Sequence, residues 1–128
     1  MATFKSFEEI EVWKKAREFA NKIYTLTLEG SFSKDYKLRD QINGSSGSIM
    51  DNIAEGFEYN NNKAFVRFLM YAKGSAGELR SQLFVLREAG ILEECKFHTL
   101  WENALKLSKS IEGFRKYLPE FDKRKTNL

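Results

Sequence analysis

The chain has one cysteine, one proline and one histidine in 128 residues. With Cys95 alone, an internal disulfide is excluded, and a reducing cytoplasmic setting is expected. With His98 alone, a di-iron bundle is excluded, because that site needs a Glu-x-x-His pair on each of two helices. Cys95 and His98 stand at i and i+3, on one helical face. Two ligands do not complete a zinc site, and nothing in the pattern orients a Cys–His nucleophile pair. "GSSGS" lacks the lysine and the preceding strand of a phosphate-binding loop. No apolar run approaches the roughly 20 residues of a membrane span, and "MATFKSFEEIEVWKK" carries acids where a signal peptide would be apolar. Sustained period-2 alternation is missing, which argues against a sheet. These absences point to a protein with no catalytic, cofactor or metal residues, no small-molecule substrate and no membrane partner.

What is present is a helical pattern with few interruptions. Ser6 followed by Glu9 reads as a capping box. Val12, Ala16, Phe19, Ile23 and Leu26 then form one stripe on a helix over about 6–29. "GSFSKD" reads as a loop. A second helix, about 36–57, carries Leu38, Ile42, Ser45, Ile49, Ile53 and Gly56. Asn60 to Asn62 are candidate caps. A third, about 61–89, carries Phe65, Phe68, Ala72, Ala76, Leu79, Leu83 and Leu86, with Gly90 as its C-terminal stop. A fourth, about 94–118, carries Phe97, Leu100, Ala104, Leu107, Ile111, Phe114 and Leu118 at heptad spacing. Pro119 is expected just past its end. Short connections predict an all-α, up-down-up-down antiparallel four-helix bundle. One domain over 1–118 is followed by a basic tail over 119–128.

Two small-residue runs need explaining. "NGSSGS" (43–48) resembles a linker, yet the apolar stripe passes through it in register, which predicts helix. "KGSAG" (73–77) lies inside the third helix, where each glycine costs roughly 1 kcal/mol relative to alanine. Opposite the third helix's core stripe, at 100° per residue, stand Val66, Met70, Gly74, Gly77, Phe84 and Val85. Apolar residues on both sides of a helix imply burial on both sides. Either the second and third helices approach closely inside one chain, or a second copy covers this face. The added apolar residues favour the second copy. Trp13 and Trp101, at stripe edges, join the candidate oligomer interface.

The net charge of +3 resides wholly beyond residue 114, where five cations meet two carboxylates. The rest of the chain is neutral. Lys123, Arg124 and Lys125 in this tail are candidate phosphate contacts. So are Lys73, Arg80 and Arg87, which recur every seven residues along the third helix, although a solvated or ion-paired face is the commoner meaning. Glu55 and Glu78 lie near the stripes, beside Arg67, Lys73 and Arg80. Inter-helix or inter-subunit ion pairs that fix register are expected there.

Taken together, "EVWKKAREFANKIY", "LRDQI", "DNIAEGF", "KAFVRFLMYAKGSAGELRSQL" and "LREAGIL" resemble, in order, the four-helix-bundle proteins encoded in intervening sequences of bacterial 23S rRNA genes, often labelled ribosomal protein S23-like. The resemblance spans about 7–118. It implies a left-handed bundle assembled as a ring-like homopentamer. It also implies association with rRNA or other structured RNA, or, as in a similar accessory subunit of diversity-generating retroelements, with a reverse transcriptase. Asn52, Glu55, Gly56, Arg67, Phe68, Lys73, Gly74, Glu78 and Leu79 match the pattern as structural and assembly positions. Asn43 to Ser46 replace a basic, alanine-rich stretch, and Met50 and Asp51 replace an expected proline. Loss of the basic stretch removes two potential phosphate contacts.

Overall fold

The computed structural model describes residues 4–126, with side chains over 4–118. Four helices form an antiparallel bundle: α1 (Glu11–Leu26), α2 (Tyr36–Glu58), α3 (Asn62–Glu88) and α4 (Glu94–Thr126). No strand occurs among the described residues. All four predicted stripes converge on one core. Ile23, Ile49, Ile53, Phe65, Leu79, Leu83 and Ile111 are wholly inaccessible. Leu26, Leu38 and Phe114 pack against this core from its margin. α3 packs extensively on both α2 and α4, whereas α1 meets α4 over a much smaller area.

The helix ends follow local chemistry, with two corrections. No capping box forms at Ser6. Its side chain caps nothing, and Phe7–Glu9 is a 3-10 turn. The Glu9 carboxylate instead accepts from the Lys5 N–H at 2.6 Å. α1 begins only after Ile10, whose backbone is extended and whose side chain is 1% exposed. Burying Ile10 takes precedence over starting the helix early. The second correction is at Pro119, which lies inside α4. Proline removes a single amide donor, and the helix continues to Thr126 at that cost.

Between α1 and α2, the expected loop is a 3-10 turn, Gly30–Lys34, that turns Phe32 into the core. Asp35 caps α2, accepting from the Leu38 N–H at 3.1 Å, and α2 runs through "NGSSGS" without a break. Asn61 caps α3, accepting from the Ala64 N–H at 2.8 Å. At the far end Gly90 takes a left-handed φ of +76°. Its N–H reaches the Arg87 carbonyl and the Ile91 N–H reaches that of Leu86, each at 3.0 Å. This is a Schellman stop, which glycine makes without steric cost.

Candidate interaction surfaces

The α2–α3 contact explains part of the small-residue pattern. Ser45 Oγ donates to Glu78 Oε1 at 2.6 Å, and Ser75 Oγ bonds Ser48 Oγ at 3.0 Å. Asn52 Nδ2 donates to the Ser48 carbonyl at 2.8 Å. Asn43 Nδ2 reaches back to Thr27 Oγ1 at 3.0 Å, tying α2 to the end of α1. Small hydroxyls therefore let α2 and α3 meet through direct hydrogen bonds. Glu78 makes a hydroxyl contact to Ser45 and no inter-helix ion pair among the described residues. Glu55 is exposed and makes no ion pair among the described residues.

The glycines divide into two kinds. A Cβ added at Gly56 would stand 2.7 Å from Phe68 Cβ and 3.0 Å from Phe65 Cδ1. This is the glycine that brings α2 and α3 together. A Cβ at Gly44, Gly47 or Gly74 meets nothing within 4 Å, and one at Gly77 meets only the Arg80 guanidinium at 3.8 Å. Close packing inside the chain does not account for these four. On the outer side of α3, Met70, Phe84 and Val85 are 46%, 39% and 50% exposed. Val66 is half-buried beside them.

Both tryptophans turn inward to different degrees. Trp13 is only 7% exposed and meets the Phe7 ring edge to face at 5.0 Å. It belongs to the core, which corrects its placement as an interface residue. The sequence put it at a stripe edge, but the 3-10 turn before α1 folds Phe7 over it. Trp101 is half-buried, with the Arg80 guanidinium over its ring at 5.7 Å. Arg67, on the outer side, is exposed and stacks on Phe68 at 5.6 Å.

The basic stripe of α3 is committed to α4. Lys73 pairs with Glu112 at 3.3 Å. Arg87 pairs with Glu94 at 3.5 Å and lies over the Phe97 ring at 4.3 Å. Arg80 lies on Trp101, as above. None of the three forms a free track for phosphates. The side chains of Lys123, Arg124 and Lys125 lie outside the described residues. Near Cys95, which is exposed, His98 Nε2 meets Glu94 Oε1 at 3.1 Å. Among the described residues no group of three or more His, Cys, Asp or Glu side chains could hold a metal. No helix there is long and apolar enough to cross a membrane.

Glu112 also binds Arg115, whose Nε donates to both carboxylate oxygens at 3.0 and 3.1 Å. The Arg115 hydrogen bonds, helped by Lys73 and opposed by partial burial, hold the Glu112 carboxyl at about 2, down from 4.5. A depressed carboxyl stabilises the fold above its unfolded value. That contribution is lost as pH falls from 4.5 through about 2. In thermal melts, the advantage of the native chain over Glu112→Gln should therefore shrink across this window. A constant difference would show that the cluster contributes no proton-linked stability.

Sequence reasoning missed the open side of the bundle. Between α1 and α4 three hollows of about 420, 240 and 370 Å³ follow one another along the helices. The central one has Phe19 and Leu107 in its lining, with Lys15, Glu18, Lys22 and Lys106 around them. None of these three lysines makes an ion pair among the described residues. Their signal was the seven-residue spacing of Lys15 and Lys22 beside the α1 stripe.

A family model described as 23S rRNA-intervening sequence protein matches residues 8–121. No curated protein matches the chain. Among solved structures, the chain is similar to the crystal structure of a protein with unknown function from the S23 ribosomal protein family of Bacteroides thetaiotaomicron. Identity is 23% and the TM-score 0.73, over 82% of this chain and 98% of that one. At that identity the likeness shows a shared fold.

Proposed function

The chain belongs to the 23S rRNA-intervening sequence protein family, and from this premise we propose that it is a non-enzymatic bundle that assembles with its own copies, as a homopentamer, and binds structured RNA or a ribonucleoprotein. The observation that carries self-association is the outer face of α3. Met70, Phe84 and Val85 are exposed there beside Gly74 and Gly77, which have no packing role within the chain. A soluble bundle with nothing to cover this face would place polar residues on it. Support for RNA binding comes from the family and from the basic end of the sequence. A second reading is an adaptor that holds another enzyme, such as a reverse transcriptase, without touching RNA. It is favoured by the engagement of Lys73, Arg80 and Arg87 within the chain.

Light scattering on a size-exclusion peak, with absorbance at 260 and 280 nm recorded together, tests both. The expected result is a mass near five subunits with excess absorbance at 260 nm. A clean oligomer free of nucleic acid would favour the adaptor. A monomer would refute the self-association reading. Gly74→Leu and Gly77→Leu should each reduce assembly about tenfold or more while helix content by circular dichroism is kept. Leucine is a better helix former than glycine; a Cβ meets nothing within 4 Å at Gly74 and only the Arg80 guanidinium, at 3.8 Å, at Gly77. Assembly that survives both substitutions would remove this face from the interface.

A further inference from the structure

We infer that the lysine-lined groove between α1 and α4 is a docking site for a second copy of this chain, and that it receives the acidic outer ridge of α2. The inference rests on the self-association reading and specifies which surfaces meet.

The groove exists because α1 and α4 pack less extensively than the other neighbouring helices. Its apolar lining includes Val12 and Phe114 at one end, Phe19 and Leu107 at the centre, and Leu26 and Leu100 at the other end. Around the centre, Lys15, Lys22 and Lys106 outnumber the single carboxylate of Glu18. Nearby charges are already paired: Lys14 with Glu11, and Lys96 with Glu29, each at 4.0 Å. The three central lysines, against Glu18 alone, therefore leave the central hollow with a net positive charge over its apolar lining, while Glu9 and Glu11 line one end and Glu29 faces Lys96 at the other.

The matching surface is on the same chain. Asp40, Gly44, Gly47, Asp51, Glu55 and Glu58 fall within an arc of about 80° on α2. The four acids are exposed, and none makes an ion pair among the described residues. Lys37 is the cation at the start of this arc. Gly44 and Gly47 have nothing within 4 Å of a built Cβ, so the ridge is low enough for a partner to come close to the α2 backbone. Lys15 and Lys22 are seven residues apart, as are Asp51 and Glu58. Both separations amount to about 10 Å along a helix, so two carboxylates can meet two ammonium groups at once.

The contact is heterologous, because groove and ridge are different surfaces of one chain. Contacts of this kind close into rings, including rings with an odd number of subunits, or extend as filaments. The ridge also borders the outer face of α3, since α2 packs against α3. A folded, low acidic ridge suits an apolar-lined groove better than a nucleic-acid backbone does.

Charge exchange in the full-length chain tests this. One variant carries Lys15→Glu, Lys22→Glu and Lys106→Glu. A second carries Asp51→Lys, Glu55→Lys and Glu58→Lys. A third carries all six changes. The first two should each self-associate about tenfold or more weakly, and the third should regain the native mass at native concentration. All six positions are exposed, so circular dichroism should be unchanged. Milder Lys15→Gln and Lys22→Gln changes, together with a salt titration of the native chain, give a reading that does not depend on charge reversal. Both should weaken assembly. Native-like assembly of either reversed variant, a six-fold variant that stays dissociated, or a salt-independent native assembly would overturn the inference. So would loss of 260 nm absorbing material from the lysine variant with its subunit count unchanged, which would place nucleic acid in the groove. A native oligomer indifferent to these changes defeats only this inference, whereas a native monomer defeats the self-association reading as well.

Discussion

Gly56→Leu is expected to unfold the protein or lower its stability by at least about 3 kcal/mol, the upper range for overpacking a core. The tight neighbour is Phe68 Cβ, 2.7 Å from the position a Cβ would take at residue 56. A first side-chain carbon is fixed to its own backbone, so it cannot swing aside as the tip of a lysine can. α2 and α3 would have to separate, which would disturb the Ser45–Glu78 and Ser48–Ser75 hydrogen bonds. Even Gly56→Ala should destabilise. Its gain in helix propensity is about 1 kcal/mol, against about 1–3 kcal/mol for the forced separation. Gly113→Ala provides the contrast. Gly113 is exposed in α4 with nothing within 4 Å of a built Cβ, so alanine there should stabilise by up to about 1 kcal/mol. Denaturant melts of the two alanine variants should shift in opposite directions. A shift in the same direction would refute the close α2–α3 approach at Gly56.

Phe65→Ala is expected to cost about 3–5 kcal/mol, the range for removing a buried phenylalanine. Phe65 is completely inaccessible. Its ring meets Phe57 edge to face at 6.2 Å and Phe114 at 5.6 Å. Phe114 in turn meets Phe4 at 6.0 Å. The cluster joins α2, α3 and α4 to the segment before α1, so the cavity left by alanine cannot be filled by one element moving alone. A domain has only about 5–15 kcal/mol of net stability, so one substitution would remove a large share of it. Phe84→Ala is the matched control. Phe84 is 39% exposed, and its loss should cost the single chain much less while weakening assembly. Equal effects on chain stability would mean that exposure has been misassigned to one of these rings.

Of the candidate interaction surfaces, the outer α3 face was legible in the sequence and the groove was not. Val66, Met70 and Phe84 stand out because helical periodicity leaves no core position for them. Lys15, Lys22 and Lys106 do not stand out, because lysines beside an apolar stripe are ordinary on any solvated helix. Their significance depends on α1 and α4 leaving space between them and on the lack of nearby carboxylate partners. Lys73 and Arg87 show the opposite case. Their heptad spacing marked a basic stripe whose commoner meaning is a solvated or ion-paired face, but the partners, Glu112 and Glu94, come from α4, a different part of the chain.

The sequence by itself determined the number of helices, most core residues of each, the caps at Asn61 and Gly90, and the family. Those features depend on a residue's neighbours within a turn or two, where spacing alone sets which side chains share a face. The tertiary structure decided which flank of each helix meets another helix. It set Gly56 apart from Gly74 and Gly77, placed Trp13 under Phe7, delayed the start of α1 until Ile10 was buried, and carried α4 past Pro119. The first three of these outcomes weigh a local preference of about 1 kcal/mol against contacts with other segments, whereas the continuation past Pro119 carries a local cost of about 3 kcal/mol. Burial of a large side chain contributes about 1.5–3 kcal/mol, so such contacts outweigh a local preference of about 1 kcal/mol.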